Sequence, residues 1–201
     1  MLIELIKNTI FQIILFLIIP LVVYLLFYRK TFTFKAFLGI KPQTKANQKT
    51  LIKLSIICVI YIILGTYSLG KYTTEFEDIR KLAFNKYGFS LSTVLIFIIQ
   101  SIIRTAVLEE MVFRGFLLNV LKSHLKFEIA NIVQALIFAA IHILGMLQFQ
   151  LFDIVLISVF IFLVAYYFGK LTKESGDSIF YSACFHSAMN ILAGIMFIYL
   201  I

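Results

Sequence analysis

Two glutamates and an arginine stand inside the otherwise apolar stretch TAVLEEMVFRGFLL, residues 105–118. At the centre of a membrane helix, a charged residue costs about 2.5–3.5 kcal/mol, whereas each Leu, Ile, Val or Phe returns about 0.3–0.6 kcal/mol. The apolar segment 91–121 contains these three charges and also Arg104. It therefore barely inserts on its own, and its charged side chains are predicted to face a protein interior or a hydrated cavity.

The spacing of these charges assigns them to different faces of a helix. Glu110 and Arg114 are four residues apart with the acid N-terminal to the base, the order that favours an ion pair on one face. Glu109 is rotated by about 100° from Glu110 and does not share that contact. One carboxylate is therefore predicted to be structural and the other to be free for chemistry. The alternative is that both only stabilise helix packing.

Two further segments place histidines at a comparable depth. FAAIH puts Phe138 and His142 at i and i+4, and HSAMN puts His186 and Asn190 at the same spacing on one helix face. At 1.5 Å per residue from the predicted cytoplasmic ends, Glu109, His142 and Asn190 lie about 18–21 Å deep and His186 about 12 Å deep. These depths allow the side chains to meet near the middle of a bilayer.

Membrane helices are predicted to position these residues. Hydrophobic residues make up 62% of the 201-residue chain and charged residues 14%, against about 45–50% and about 25% in soluble domains. About 20 apolar residues cross a membrane, and six segments qualify: 5–28, 51–69, 91–121, 128–147, 151–168 and 178–200. The sequence predicts an all-α, polytopic integral membrane protein with about six transmembrane helices and a polar cavity at the midplane.

The net charge of +8 comes from lysines and arginines that lie between the apolar segments. This distribution argues against a nucleic-acid-binding domain and agrees with the positive-inside rule. Eleven basic residues lie on the side of the 29–53 loop and five on the opposite side. The loop is therefore predicted to be cytoplasmic, with both termini outside.

Three motifs, taken together, resemble the CPBP family of intramembrane proteases, which includes the CAAX-processing enzymes and their bacterial relatives. That family is marked by EExxxR, FxxxH and HxxxN, each on its own membrane helix. The chain has all three in that order, as Glu109-Glu110-x-x-x-Arg114, Phe138-x-x-x-His142 and His186-x-x-x-Asn190. The resemblance covers residues 100 to 201. It implies a catalytic helical core over 91–201, preceded over 1–90 by membrane helices with a basic cytoplasmic linker.

The resemblance implies an endopeptidase that hydrolyses a membrane-associated peptide with glutamate-activated water. Glu109 would be the general base and His142 would orient or polarise the water. His186 and Asn190 would donate hydrogen bonds to the oxyanion. Glu110 and Arg114 would support the site by fixing the helix.

The resemblance leaves the use of a metal open. Glu109, His142 and His186 with a water molecule would form a zinc site, and such proteins are often labelled metalloproteases. The family's mechanism can also be understood as glutamate-activated water alone. The interpretation favoured here has no obligatory cofactor, while zinc or another divalent metal could bind.

The expected partners are the lipid bilayer and a hydrophobic or membrane-associated peptide, with no nucleic acid and no indication of an oligomeric state. The richness in Ile, Lys and Phe suggests a bacterial plasma membrane. One alternative is a non-enzymatic protein that binds a hydrophobic peptide, for example in self-immunity to a bacteriocin. Another is a transporter with a Glu–His proton relay, although the sequence lacks paired halves with interrupted helices. Arg104 would be either a partner for a carboxylate or a substrate anchor.

Overall fold

Helices joined by turns and irregular segments, and no strand, make up residues 1–70 and 79–199, the parts of the chain that the computed structural model describes. The helices α1 to α4 precede the first motif, and α1 ends in one π-helical turn, Tyr24–Tyr28. The helices α5, α6 and α8 carry the three motifs, and α7 lies between α6 and α8 in the chain. Their bounds are Leu2–Val23 (α1), Phe34–Phe37 (α2), Gln48–Gly70 (α3), Ile79–Tyr87 (α4), Leu91–Lys122 (α5), Phe127–Leu144 (α6), Leu151–Glu174 (α7) and Phe180–Tyr199 (α8).

Five of these helices are long and apolar enough to cross a membrane: Leu2–Tyr28, Gln48–Ser68, Leu91–Lys122, Phe127–Leu144 and Leu151–Glu174. The sixth predicted segment corresponds to α8, a helix of 20 residues. The chain is therefore an all-α, polytopic integral membrane protein, as its composition predicts. Lys71, one of the residues that entered the charge comparison, and Leu200 lie outside the described residues.

The predicted boundaries differ from the observed ones by three or more residues at four helix ends, and two of these are the starts of α1 and α3, at Leu2 and Gln48 rather than at 5 and 51. α6 ends at Leu144, because Gly145 and the residues after it form turns rather than a continuing helix. α7 continues past residue 168 to Glu174. Its last turn carries Lys170 and Lys173, which lower hydropathy without interrupting the helical hydrogen bonds.

α5 is one helix with two π-helical stretches, Ile99–Val107 and Met111–Leu117, which flank the α-helical residues Leu108–Glu110. The hydroxyl of Thr105 donates to the carbonyl of Gln100, five residues earlier, at 2.9 Å. π-Helical turns are rare and occur frequently at functional sites. The sequence predicts a regular α-helix here, so the π-helical turns are a departure from that prediction. They lie on both sides of the two glutamates.

The linker between α1 and α3 packs against the ends of α5 and α8. Gly39 has a φ of +73°, a conformation that L-residues other than glycine rarely adopt, and its carbonyl accepts from the amide of Ile179 at 3.1 Å. A Cβ on Gly115 of α5 would lie 2.2 Å from the carbonyl oxygen of Leu38. Glycine at both positions therefore allows the linker backbone to contact α5 directly.

Buried amides join α6 to α7. Asn131 donates to the carbonyl of Tyr166 at 2.9 Å, and Gln134 donates to the side-chain oxygen of Asn131 at 2.9 Å. A Cβ on Gly169 would lie 1.8 Å from that same Asn131 oxygen. Hydrogen bonds and small residues at close helix contacts are the usual means of association between membrane helices. This contact fixes α6, the helix that carries His142.

Candidate active site

Glu110 and Arg114 form an ion pair inside the bundle. The distance from Nη1 of Arg114 to Oε1 of Glu110 is 2.9 Å, and both side chains are fully buried. The same oxygen lies 2.9 Å from Nδ1 of His186 on α8. Because a carboxylate only accepts, Nδ1 of His186 carries the proton and donates it. Glu110 is therefore the structural carboxylate of the pair and links α5 to α8.

Three aromatic rings enclose the rest of the Arg114 guanidinium. Its Nε and Nη2 atoms have no hydrogen-bond partner in the described part of the chain. The guanidinium carbon lies 4.4 Å from the ring centre of Phe138, 5.3 Å from Phe168 and 5.9 Å from Phe113. These are cation–π distances. Phe138 of the second motif thus covers the arginine of the first, a contact between motifs that spacing along one helix does not reveal.

The Phe138 carbonyl also fixes the tautomer of His142. Nδ1 of His142 lies 2.8 Å from that oxygen, and a carbonyl can only accept, so Nδ1 is the donor. In the neutral imidazole, Nε2 then carries the lone pair. The two rings also pack together with centres 4.4 Å apart. His142 can therefore accept a hydrogen bond from water through Nε2.

Glu109 has the unpaired carboxylate. Its Oε2 atom is buried and accepts no hydrogen bond from any described residue. Nε2 of His186 lies 3.8 Å from this oxygen, a distance that exceeds hydrogen-bond length. Adjacent glutamates thus have different environments, since Glu110 is neutralised by Arg114 and Glu109 is not. This difference in pairing is the one that the helical spacing predicts, and the catalytic role of Glu109 stays a prediction.

Asn190 joins α8 to the first π-helical stretch of α5. Its amide nitrogen donates to the hydroxyl of Thr105 at 2.8 Å and to the carbonyl of Ser101 at 3.3 Å. Its backbone carbonyl accepts from Arg80 on α4, which also donates to the Ser101 hydroxyl at 3.1 Å. A Cβ on Gly194 would lie 2.9 Å from the Arg80 side chain, so this glycine makes room for the arginine.

Arg104 points toward α1. Its Nε donates to Oε1 of Gln12 at 2.5 Å, and its Nη1 donates to Gln100 at 3.4 Å. Its backbone carbonyl accepts from the Gln12 amide at 3.3 Å. The structure therefore pairs Arg104 with amides on α1 and α5, and the suggested pairing with a carboxylate is not what is observed among the described residues.

Two cavities meet at His142. The larger, of about 590 Å³, lies between α1, α5 and α6 and is lined by Glu109 and His142 among apolar side chains. The smaller, of about 80 Å³, is lined by His142, His186, Asn190 and Tyr61, together with rings that include Phe168. Of the four side chains predicted to be catalytic, His142 lines both cavities, Glu109 lines the larger one, and His186 and Asn190 line the smaller one.

Tyr61, Arg80 and Phe168 contribute to this site without belonging to any motif. Each comes from a helix other than those that carry the motifs: α3, α4 and α7 respectively. Tyr61 is one of ten tyrosines in the chain, and nothing in its neighbouring sequence distinguishes it. The sequence feature that could have identified these three residues is their depth in the membrane, because residues at the same depth on neighbouring helices can come into contact.

The described residues do not form a metal site. No group of three or more His, Cys, Asp or Glu side chains in residues 1–70 and 79–199 is arranged to hold an ion. Within the set Glu109, His142 and His186, Nδ1 of each histidine is hydrogen-bonded, that of His186 to Glu110 and that of His142 to a carbonyl, which leaves both Nε2 atoms able to bind a metal. The donor types therefore suit zinc, whereas the three side chains as arranged do not come together closely enough to hold an ion.

The fold and the site define a helical membrane protein with a buried acid–base cluster between its helices. The family model described as Rce1-like, type II CAAX prenyl endopeptidase, matches residues 91–192. This match covers half of the chain and includes all three motifs, so the chain belongs to the Rce1-like family. Membership indicates a membrane-embedded endopeptidase of the CAAX-processing type. No curated protein and no solved structure matches the chain.

Proposed function

We propose that this protein cleaves a hydrophobic, membrane-associated peptide inside the lipid bilayer with water activated by Glu109. The observation that carries the proposal is the buried, unpaired Oε2 atom of Glu109 in a cavity that it shares with His142. A charge without a partner is expensive in this environment. A carboxylate kept in this state is available to take a proton.

A water molecule between the two residues has an acceptor for each of its hydrogens. One O–H donates to the Glu109 carboxylate and the other donates to Nε2 of His142, whose lone pair is free because Nδ1 donates to a carbonyl. As the water oxygen attacks the peptide carbonyl carbon, Glu109 takes the proton. It then gives that proton to the departing amine nitrogen as the C–N bond breaks.

The attack places negative charge on the former carbonyl oxygen, and hydrogen-bond donors stabilise that charge. We propose Asn190 and the doubly protonated form of His186 for this role, in agreement with the family resemblance, since Nδ1 of His186 already donates to Glu110 and Nε2 needs its own proton to donate. Both line the smaller cavity. Asn190 would share its amide nitrogen between Thr105 and the substrate, because that nitrogen already donates to Thr105.

The Glu110–Arg114 ion pair supports the site by position rather than by contact with substrate. Glu110 accepts from His186, and Arg114 is covered by Phe138, the residue whose carbonyl orients His142. The same ion pair therefore positions both histidines. It holds His186 through the Glu110 carboxylate, and it holds His142 through Phe138, whose ring packs on the Arg114 guanidinium.

The larger cavity has the properties of a peptide-binding groove. Its walls from α1 and α6 include Leu15, Ile19 and Ile141, which are 55%, 63% and 51% exposed on the outer surface of the bundle. The cavity therefore opens toward the region that lipid would occupy. A hydrophobic segment, in what we propose is a bacterial plasma membrane, would enter between α1 and α6 and bring its peptide bond to Glu109.

The test compares membrane peptides, by mass spectrometry, from cells that produce the wild-type protein, Glu109→Gln or Glu128→Gln. Glu109→Gln keeps size and hydrogen bonding but removes the base, so cleavage should fall by about 10²–10⁴-fold, the usual contribution of a general base. Glu128 is the matched control because it lies at the start of α6 and accepts from the exposed Tyr166 hydroxyl. Its substitution should leave cleavage unchanged.

The same comparison distinguishes a peptide-binding or self-immunity protein, which would use the same apolar cavity without hydrolysis. That function predicts full biological activity in the Glu109→Gln variant and no cleaved peptide from the wild type. Cleavage by Glu109→Gln at the wild-type rate would contradict the proposed mechanism.

A further inference from the structure

Tyr61 brings a hydroxyl group from α3 to the candidate site. Its side chain lines the smaller cavity beside His142, His186 and Asn190. Tyr61 is 13 residues from the start of α3 at Gln48, and Glu109 is 13 residues from the end of α5 at Lys122. At 1.5 Å per residue, both lie about 20 Å from helix ends on the same side.

The Tyr61 hydroxyl is an available donor. It makes no hydrogen bond to any residue of the described ranges, whereas the ring is held between α3, α7 and α8 by two apolar clusters. A phenol is protonated at neutral pH and donates one O–H. The ring is thus fixed by packing while its O–H remains free for a ligand in the cavity.

The other polar groups around this cavity are already engaged. His142 donates through Nδ1 to a carbonyl, so its Nε2 accepts rather than donates when the ring is neutral. The amide nitrogen of Asn190 donates to Thr105 and Ser101. His186 donates through Nδ1 to Glu110, and its Nε2 faces the Glu109 carboxylate. An oxyanion formed here needs a donor, and Tyr61 is the side chain that offers one without giving up another bond.

We propose that the Tyr61 hydroxyl donates a hydrogen bond to the oxyanion of the tetrahedral intermediate, which makes Tyr61 a catalytic residue outside the three motifs. This inference rests on the proposed function and goes beyond it, because Tyr61 lies before the residues 91–192 that the family model matches. The α3 helix then completes the active site in addition to packing against it.

The test uses the full-length protein in lipid vesicles with a peptide that the wild type cleaves. Tyr61→Phe removes only the hydroxyl. Tyr167→Phe is the matched control, because Tyr167 packs against one of the apolar clusters that hold Tyr61 but does not line the cavity. Loss of one oxyanion donor lowers kcat by about 10²–10³-fold. We expect a fall of that size for Tyr61→Phe with KM unchanged, and wild-type kinetics for Tyr167→Phe.

A second measurement distinguishes transition-state stabilisation from packing. A phosphonate analogue of the peptide carries a tetrahedral, charged oxygen where the oxyanion forms. Tyr61→Phe should bind this analogue more weakly by the same factor as its loss of kcat, and bind the uncleaved peptide as the wild type does. Wild-type kcat in Tyr61→Phe, or a change confined to KM, overturns this inference and leaves the proposed function intact. No cleavage by the wild type overturns both.

Discussion

Oε1 of Glu110 accepts hydrogen bonds from Arg114 on its own helix and from His186 on α8, each at 2.9 Å. One oxygen atom thus fixes the side chain of a predicted catalytic histidine and neutralises a buried arginine. The adjacent Glu109 takes part in neither contact. The chemistry proposed for Glu109 depends on this separation of two neighbouring carboxylates.

Glu110→Gln should lower stability far more than Glu109→Gln. Removing the Glu110 charge leaves Arg114 buried without a counter-charge, and breaking a buried ion pair in this way costs about 3–5 kcal/mol. Oε2 of Glu109 accepts no hydrogen bond from any described residue, and Nε2 of His186 lies 3.8 Å from it, so the substitution breaks no such close pair. Denaturant unfolding of each variant in detergent micelles measures the difference. Equal loss of stability in the two variants would contradict the assignment of separate roles.

Phe138→Leu should lower both stability and activity. The substitution removes the ring that lies 4.4 Å from the Arg114 guanidinium and 4.4 Å from the His142 ring. A desolvated cation–π contact contributes about 2 kcal/mol, so a loss of that order is expected in the same unfolding measurement. Phe11→Leu is the control, since Phe11 is 67% exposed on α1 and should tolerate the change.

Gly115→Ala should displace the linker from α5. The added methyl would lie 2.2 Å from the Leu38 carbonyl oxygen, and a backbone atom cannot move aside as a flexible side chain does. Gly65→Ala, where no atom lies within 4 Å of the new methyl, is the matched control within a membrane helix. Limited proteolysis between residues 31 and 47 should be faster only in Gly115→Ala. Equal rates in both variants would show that the contact is not required.

Chelation tests the expectation that no metal is obligatory. Treatment of the purified protein with 1,10-phenanthroline and then EDTA should change the rate of peptide cleavage by less than about twofold, because the proposed reaction uses water activated by Glu109 alone. Loss of activity that added zinc restores would show instead that Glu109, His142 and His186 bind an ion during turnover.

The sequence predicts the parts of this structure that depend on local spacing. The helices follow from runs of apolar residues, and the Glu110–Arg114 pair follows from an i, i+4 interval. The rotation of about 100° per residue in an α-helix also correctly places Glu109 away from that pair, because the residues between the two π-helical stretches are α-helical. The π-helical stretches themselves are not predictable from a pattern that assumes 3.6 residues per turn.

Contacts between helices that are distant in sequence could not be predicted in this way. The sequence leaves a carboxylate as one possible partner of Arg104, whereas the structure pairs Arg104 with Gln12 on α1. Asn190 was predicted to face substrate, and its nitrogen also binds Thr105. Such contacts depend on how each helix is rotated toward its neighbours. Periodicity gives the relative positions of residues on one helix and leaves that rotation undetermined.

The rings around Arg114 bear on how the protein enters a membrane during synthesis. Phe138 and Phe168 belong to α6 and α7, and both helices leave the ribosome after α5. The newly made α5 therefore meets lipid while its guanidinium still lacks most of its final surroundings. Stable insertion of α5 is therefore expected only once α7 has emerged. Although α5 is synthesised before α6 and α7, it would settle in the membrane together with them or after them.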